Sequence, residues 1–208
     1  MYDLAEVVPG RAVEPGTNLL VAGPPLTGKR RLALQLIAAG HERDEGALVV
    51  TTRDSARRIL EEYGEMVPDL AEADLGIVDC VTRQQGGGDQ LDDERVAYTA
   101  SPVDMTGIGI ELSELLERFY VERGLQRNRI LLDSVSTLLM YSDLRTVFRF
   151  LHVFTGRVAS ADAFGIYVVD ASAHDDRTLS TLEQLFDGVL VVEEAPDGGE
   201  PRTELQGL

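Results

Sequence analysis

Leu19-Leu20-Val21-Ala22-Gly23-Pro24-Pro25-Leu26-Thr27-Gly28-Lys29-Arg30 runs from an apolar strand pattern into a glycine loop, and Arg31-Leu32-Ala33-Leu34-Gln35-Leu36-Ile37 continues it as an amphipathic helix. Strand, glycine loop and helix in this order is what a phosphate-binding loop requires. Gly23 and Gly28 allow backbone angles that side chains forbid. Successive amides and the helix N-terminus can then converge on phosphate oxygens while Lys29 reaches the outer phosphates. Seven of the eight motif positions from Gly23 to Arg30 fit. The eighth does not, because Arg30 stands where a Ser or Thr hydroxyl would hold magnesium.

Lys29 is the only lysine among 208 residues, against 18 arginines, so a chance match at the one position where the loop uses an ammonium group is improbable. Acids number 36 against 19 basic residues, a net charge of -17, and they are spread along the chain. That balance repels nucleic acids and anionic membranes, and Arg30-Arg31 and Arg57-Arg58 are the only basic doublets. Dispersed acid, one lysine and no tryptophan suit a protein of a salt-in halophile, where salt screens self-repulsion; an acidic mesophilic protein is the alternative. Cys80 stands alone in an apolar run and reads as a buried thiol. His41, His152 and His174 are far apart, which argues against a structural zinc site. No signal peptide and no apolar stretch of about 18 residues is present, so the expectation is a cytoplasmic protein without membrane insertion.

Working outward, the length fits one domain over residues 1–208, with an irregular lead-in at 1–17 containing Pro9, Gly10, Pro15 and Gly16. Apolar runs predict strands at 47–52, 75–81, 129–133, 165–170 and 188–192, and a last antiparallel strand at 202–206 after a turn at 196–199. Helical patterns fall at 56–63, with Asp54 or Ser55 as its cap, and at 108–123, 146–158 and 179–186. Strands alternating with helices make an α/β parallel sheet. Residues 82–107, with Gly86-Gly87-Gly88 among acids, read as a surface loop long enough to carry function. Asp133 closes the strand Ile130-Leu131-Leu132 and suits a magnesium ligand, direct or through water; capping the following segment is the alternative.

The order of the phosphate loop, Thr51-Thr52-Arg53-Asp54-Ser55, the strand 130–139 with Asp133, and Phe186-Asp187-Gly188-Val189-Leu190-Val191-Val192 before a terminal strand resembles a RecA-type P-loop ATPase of the KaiC-like family. The stretch 101–109, Ser-Pro-Val-Asp-Met-Thr-Gly-Ile-Gly, resembles the short single-domain KaiC-related proteins of halophilic archaea. The resemblance implies a RecA-like fold, a mostly parallel central sheet flanked by helices with a C-terminal antiparallel strand. It implies ATP or ADP held by Gly23, Pro24, Pro25, Leu26, Thr27, Gly28, Lys29, Arg30 and Arg31.

It also implies catalytic positions that this chain has altered. The family usually has two glutamates after the second strand, one of which deprotonates the attacking water. Here Arg53 and Asp54 stand there, which leaves Asp54 as the candidate catalytic base, one methylene shorter than glutamate. The family's closing strand usually carries cations that reach a neighbouring subunit's γ-phosphate, and here the segment is Glu204-Leu205-Gln206-Gly207. Arg30 has two readings: a guanidinium supplying charge in place of magnesium, or an outward-facing helix residue. The expectation is a nucleotide-binding regulatory or signalling protein with little or no hydrolysis, acting on a protein partner, with a ring of like subunits left open. An active RecA-like ATPase acting on DNA in recombination, a KaiC-like oligomeric ATPase and a nucleotide-free interaction scaffold are the alternatives.

Overall fold

The computed structural model describes residues 1–5, 7–194 and 201–208. The sequence-predicted turn at 196–199 lies outside them.

Eight strands form one sheet in the order β10-β9-β3-β8-β7-β4-β5-β6, all parallel except β10 (Arg202–Gln206), which pairs antiparallel to β9 (Gly188–Glu193). The phosphate-loop strand β3 (Asn18–Gly23) and the Asp133 strand β7 (Asn128–Asp133) do not touch; β8 (Phe164–Asp170) lies between them. On the far side of β7 follow β4 (Gly46–Thr51), β5 (Leu75–Asp79) and β6 (Val96–Tyr98).

Helices cover both faces, which explains why the strands read as continuous apolar runs instead of alternating ones. Along β3, Leu19 and Val21 point into a core with α1 (Lys29–Ala38) and α2 (Ala56–Gly64), while Leu20 and Ala22 point into a second core. That second core holds α3 (Met105–Val121), α4 (Val135–Tyr141), α5 (Leu144–Ser160) and α6 (Asp176–Glu183). Cys80 is buried in it, and burial pushes its thiol up to about 12.

Several boundaries correct the sequence reading. Residues 1–17 are not an irregular lead-in: β1 (Tyr2–Asp3) and β2 (Ala12–Val13) pair antiparallel, and Tyr2 and Leu4 are buried. The Tyr2 hydroxyl donates to the Asp162 carbonyl (2.8 Å) and accepts the Asn128 amide (3.1 Å), tying this hairpin to the sheet. Two-residue strands are too short to show a period.

The same shortness hid β6 inside the supposed loop 82–107. The helix after it starts at Met105, three residues earlier than predicted, because Asp104 accepts the Gly107 amide at 2.9 Å. α4 was not foreseen; the Ser134 hydroxyl caps it by accepting the Thr137 amide. α6 starts at Asp176, capped by Asp175, whereas the pattern suggested 179–186.

Beneath α1 lies a buried charge cluster that the sequence did not announce. Arg129 and Glu45 pair at 2.6 Å with both side chains essentially inaccessible, and Arg127 joins Glu45 at 2.6 Å. Arg129 also donates to the carbonyls of Leu36 (2.6 Å) and Asp3 (3.1 Å), so one guanidinium binds the hairpin, α1 and β7 together.

Candidate functional site

The carboxyl ends of β3, β8, β7, β4 and β5 bring Gly23, Asp170, Asp133, Thr51 and Asp79 to one edge of the sheet. In open parallel sheets this edge is where ligands sit.

The phosphate loop leaves β3 at Gly23, where a Cβ would lie 2.3 Å from the Val192 carbonyl oxygen, so only glycine fits. The chain then passes Pro24, Pro25 and Leu26, all exposed, with Leu26 at φ 66 and fully exposed. The Thr27 hydroxyl donates to the Pro24 carbonyl (3.0 Å) and closes the turn. Gly28, at φ 81, is the N-cap of α1 and supplies no side chain to its amides. A helix leaves its first four amides without intrahelical partners, so this end presents donors and the positive end of the helix dipole.

Lys29 is buried. Its ammonium donates to the Pro24 carbonyl (2.9 Å) and pairs closely with Asp170, the last residue of β8. Any phosphate reaching Lys29 has to compete with Asp170. Arg31 is exposed on the flank of α1, beside Glu61 and Glu62 of α2 and Glu65 just after it.

Arg30 turns inward. Its Nε donates to Asp133 Oδ2 at 2.6 Å, one terminal nitrogen binds Glu62 closely, and the other lies 3.3 Å from Asp54. The reading of Arg30 as an outward-facing helix residue is thereby overturned. Three acids from β7, α2 and the β4–α2 connection converge on one guanidinium. Arg53 approaches Asp54 at 4.0 Å and Arg58 binds Glu62 at 2.6 Å, so three guanidiniums meet three carboxylates.

Asp133 is fully buried, and burial raises its carboxyl, opposed in part by Arg30. Glu62 is also raised by burial, but Arg58 and Arg30 outweigh this and hold it below the usual carboxylate range. Two atoms remain without hydrogen bonds although buried, Arg30 Nη2 and Asp133 Oδ1.

These residues do not fit a magnesium ion. The position of the hydroxyl ligand is an arginine, whose cation already occupies the space among the acids. Among the described residues, no group of three or more His, Cys, Asp or Glu is arranged to hold a metal. Asp54, the candidate base, likewise faces Arg30.

Four features went unread in the sequence. Asp170 carries the same signal as Asp133, an acid closing an apolar strand. Glu62 stands four residues after Arg58, a helical pairing distance. Asp79 accepts four hydrogen bonds, from the amides of Ala56, Val81 and Thr82 and the Thr82 hydroxyl. It therefore does the capping of α2 that was expected of Asp54 or Ser55; Ser55 holds the N-cap position but makes no side-chain bond. Ser136 accepts the Asp170 amide (2.8 Å) and meets His174 at 2.9 Å, joining the end of β8 to α4.

A family model described as a family of unknown function, DUF7504, matches residues 16–192. No curated protein matches the chain in sequence. Two crystal structures share the fold. A KaiC-like protein from the hyperthermophilic archaeon Pyrococcus horikoshii OT3 superposes with a TM-score of 0.65 at 18% identity, over 97% of this chain and 82% of its own. An uncharacterized protein of Pyrococcus horikoshii, in complex with an unknown peptide, gives a TM-score of 0.66 at 14% identity, over 98% of this chain and 97% of its own. The fold is therefore that of KaiC-like, RecA-type proteins. Among the described residues, no helix is long and apolar enough to cross a membrane.

Proposed function

We propose that this chain, which belongs to the DUF7504 family, is a nucleotide-responsive regulatory protein that binds ATP or ADP and hydrolyses it little or not at all. The observation that carries the reading is a division of labour at one sheet edge. The phosphate-facing parts are retained, with Gly28 in the left-handed region opening the N-terminus of α1 and Lys29 beside it. The acids that would activate water or hold a metal, Asp54 and Asp133, are instead engaged by Arg30. Lost water activation and charge neutralisation remove the main sources of phosphoryl-transfer catalysis while leaving binding possible.

Gly23 to Arg31 contact the phosphates in this reading, and a phosphate oxygen displaces Asp170 from Lys29. The protein works in the cytoplasm at high salt, passing its nucleotide state to a protein partner. We place that partner on the groove of about 550 Å3 between α3 and α5, where Ile110 and Val153 are exposed beside Arg149. α5 contains Arg145, Arg149 and Arg157 and no acid, in a chain of net charge -17, so an acidic polypeptide with apolar side chains matches it.

The test is calorimetric titration of ATP and ADP in molar KCl, with Lys29→Ala as control. Binding by the natural protein that is lost in Lys29→Ala supports the reading. No heat and no thermal stabilisation by millimolar nucleotide in any condition would leave the interaction-scaffold alternative.

A further inference from the structure

We infer that Arg30 is a built-in replacement for the divalent cation of the phosphate site, so that the protein binds nucleoside triphosphate without metal. The inference rests on the nucleotide-binding reading above. It adds which cation serves the site.

The geometry argues this in three steps. First, Arg30 follows Lys29 in the first turn of α1, the position from which a hydroxyl would hold magnesium, and its guanidinium reaches Asp133 Oδ2 at 2.6 Å. The carboxylate and the cation are both present, and the cation is covalently attached.

Second, the surrounding acids are already balanced. Asp133, Asp54 and Glu62 face Arg30, with Arg53 and Arg58 as second partners of Asp54 and Glu62. A magnesium ion demands close to octahedral oxygen ligation and gives up its water reluctantly. Here it would find Asp133 Oδ1, a single buried oxygen without a partner, and a guanidinium in its path.

Third, Arg30 has donor capacity left. Nη2 lies 3.3 Å from Asp54 Oδ2 but makes no hydrogen bond, while Nε and Nη1 are used by Asp133 and Glu62. A phosphate oxygen accepts from such a nitrogen directly, and the guanidinium carries its charge at every working pH. Held by three acids, Arg30 is oriented before any ligand arrives, which lowers the ordering cost of binding.

The experiment is titration of ATP into the natural protein, Arg30→Ser, Arg30→Lys and Lys29→Ala, each in excess EDTA and again in excess magnesium, with circular dichroism to confirm folding. For the natural protein the dissociation constants in EDTA and in magnesium should agree within about twofold, a difference of under ~0.5 kcal/mol. Arg30→Ser restores a hydroxyl and exposes Asp133 to metal, so its binding in EDTA should weaken by about tenfold or more and be recovered by magnesium. Natural protein that binds about tenfold or more tightly with magnesium than with EDTA overturns the inference and leaves the nucleotide reading standing. No binding in either condition overturns both. If Arg30→Ser fails to fold, the comparison of EDTA with magnesium on the natural protein decides by itself.

Discussion

Replacing Arg30 by methionine should strip a buried carboxylate of its cation, and the structure indicates how large the effect is. Asp133 is fully buried, and the only hydrogen bond to its carboxylate is from Arg30 Nε. Removing one member of a buried pair costs about 3–5 kcal/mol, because the other charge stays in the interior without compensation. Asp54 and Glu62 behave differently. Their side chains are 33% and 20% exposed, so they rehydrate, and each contributes on the surface scale of about 0–1 kcal/mol.

The loss is therefore set by Asp133. For a protein of this size it lowers the melting temperature by about 6–20 °C. The pH dependence identifies the cause. Asp133 already has a folded pKa above its unfolded value, and without Arg30 it rises further. An acid of that kind binds more protons folded than unfolded, so its contribution to stability falls as pH rises from about 4 through the folded pKa. Arg30→Met should thus lose least at acidic pH and most at neutral pH, opposite to ordinary acid denaturation. Adding Asp133→Asn should flatten this dependence and recover most of the loss. Denaturant melts from pH 4 to 8 read all three proteins. An Arg30→Met protein within about 1 kcal/mol of the natural one across that range would refute the buried ion pair.

Two other predictions concern regions outside the phosphate loop. Glu45→Gln leaves the buried Arg129 unpaired and should cost about 3–5 kcal/mol in urea denaturation, whereas replacing Glu45 and Arg129 together by apolar residues should cost far less; equal losses would contradict the pairing. Arg149→Glu with Ile110→Asp should abolish retention of acidic polypeptides on immobilised protein while leaving ATP titration unchanged, and identical retention by both forms would remove the α3–α5 groove as the partner surface.

The sheet was legible because its strands are buried on both faces and its helices are amphipathic, two signals that need no tertiary information. β7 and β8 read within one residue for that reason. The strand, loop and helix from β3 to α1 were legible because glycines and a lone lysine at fixed spacing have a local mechanism. Missing were features made by contacts distant in sequence. Arg30 meets Asp133 across 103 positions, and Arg129 meets Glu45 across 84. From spacing alone Arg30 could face in or out, and only the fold brings Glu62 and Asp54 to it. Short elements were lost for a different reason. The two residues of β1 or the three of β6 present too few side chains for a period, and pairing along the chain decides them.

Asp170 supplies the step from phosphate binding to a partner in the proposed function. Its carboxylate holds Lys29, while its amide donates to the Ser136 hydroxyl, which also meets His174. The residue therefore joins the phosphate loop to α4, and α4 packs against α5, which carries the arginine-bearing face. A phosphate that takes Lys29 releases the Asp170 carboxylate, and the short 3-10 turn Ala171–Ala173 and His174 behind it lose one of their anchors. A ligand shifts such an equilibrium only by its differential interaction with the two arrangements. Here that difference is the exchange of one half-buried ion pair. Amide hydrogen exchange should consequently rise at 171–174 on saturation with ATP and not with adenosine, which lacks phosphates. Equal protection with ATP, with adenosine and without ligand would show that Asp170 does not report the phosphate.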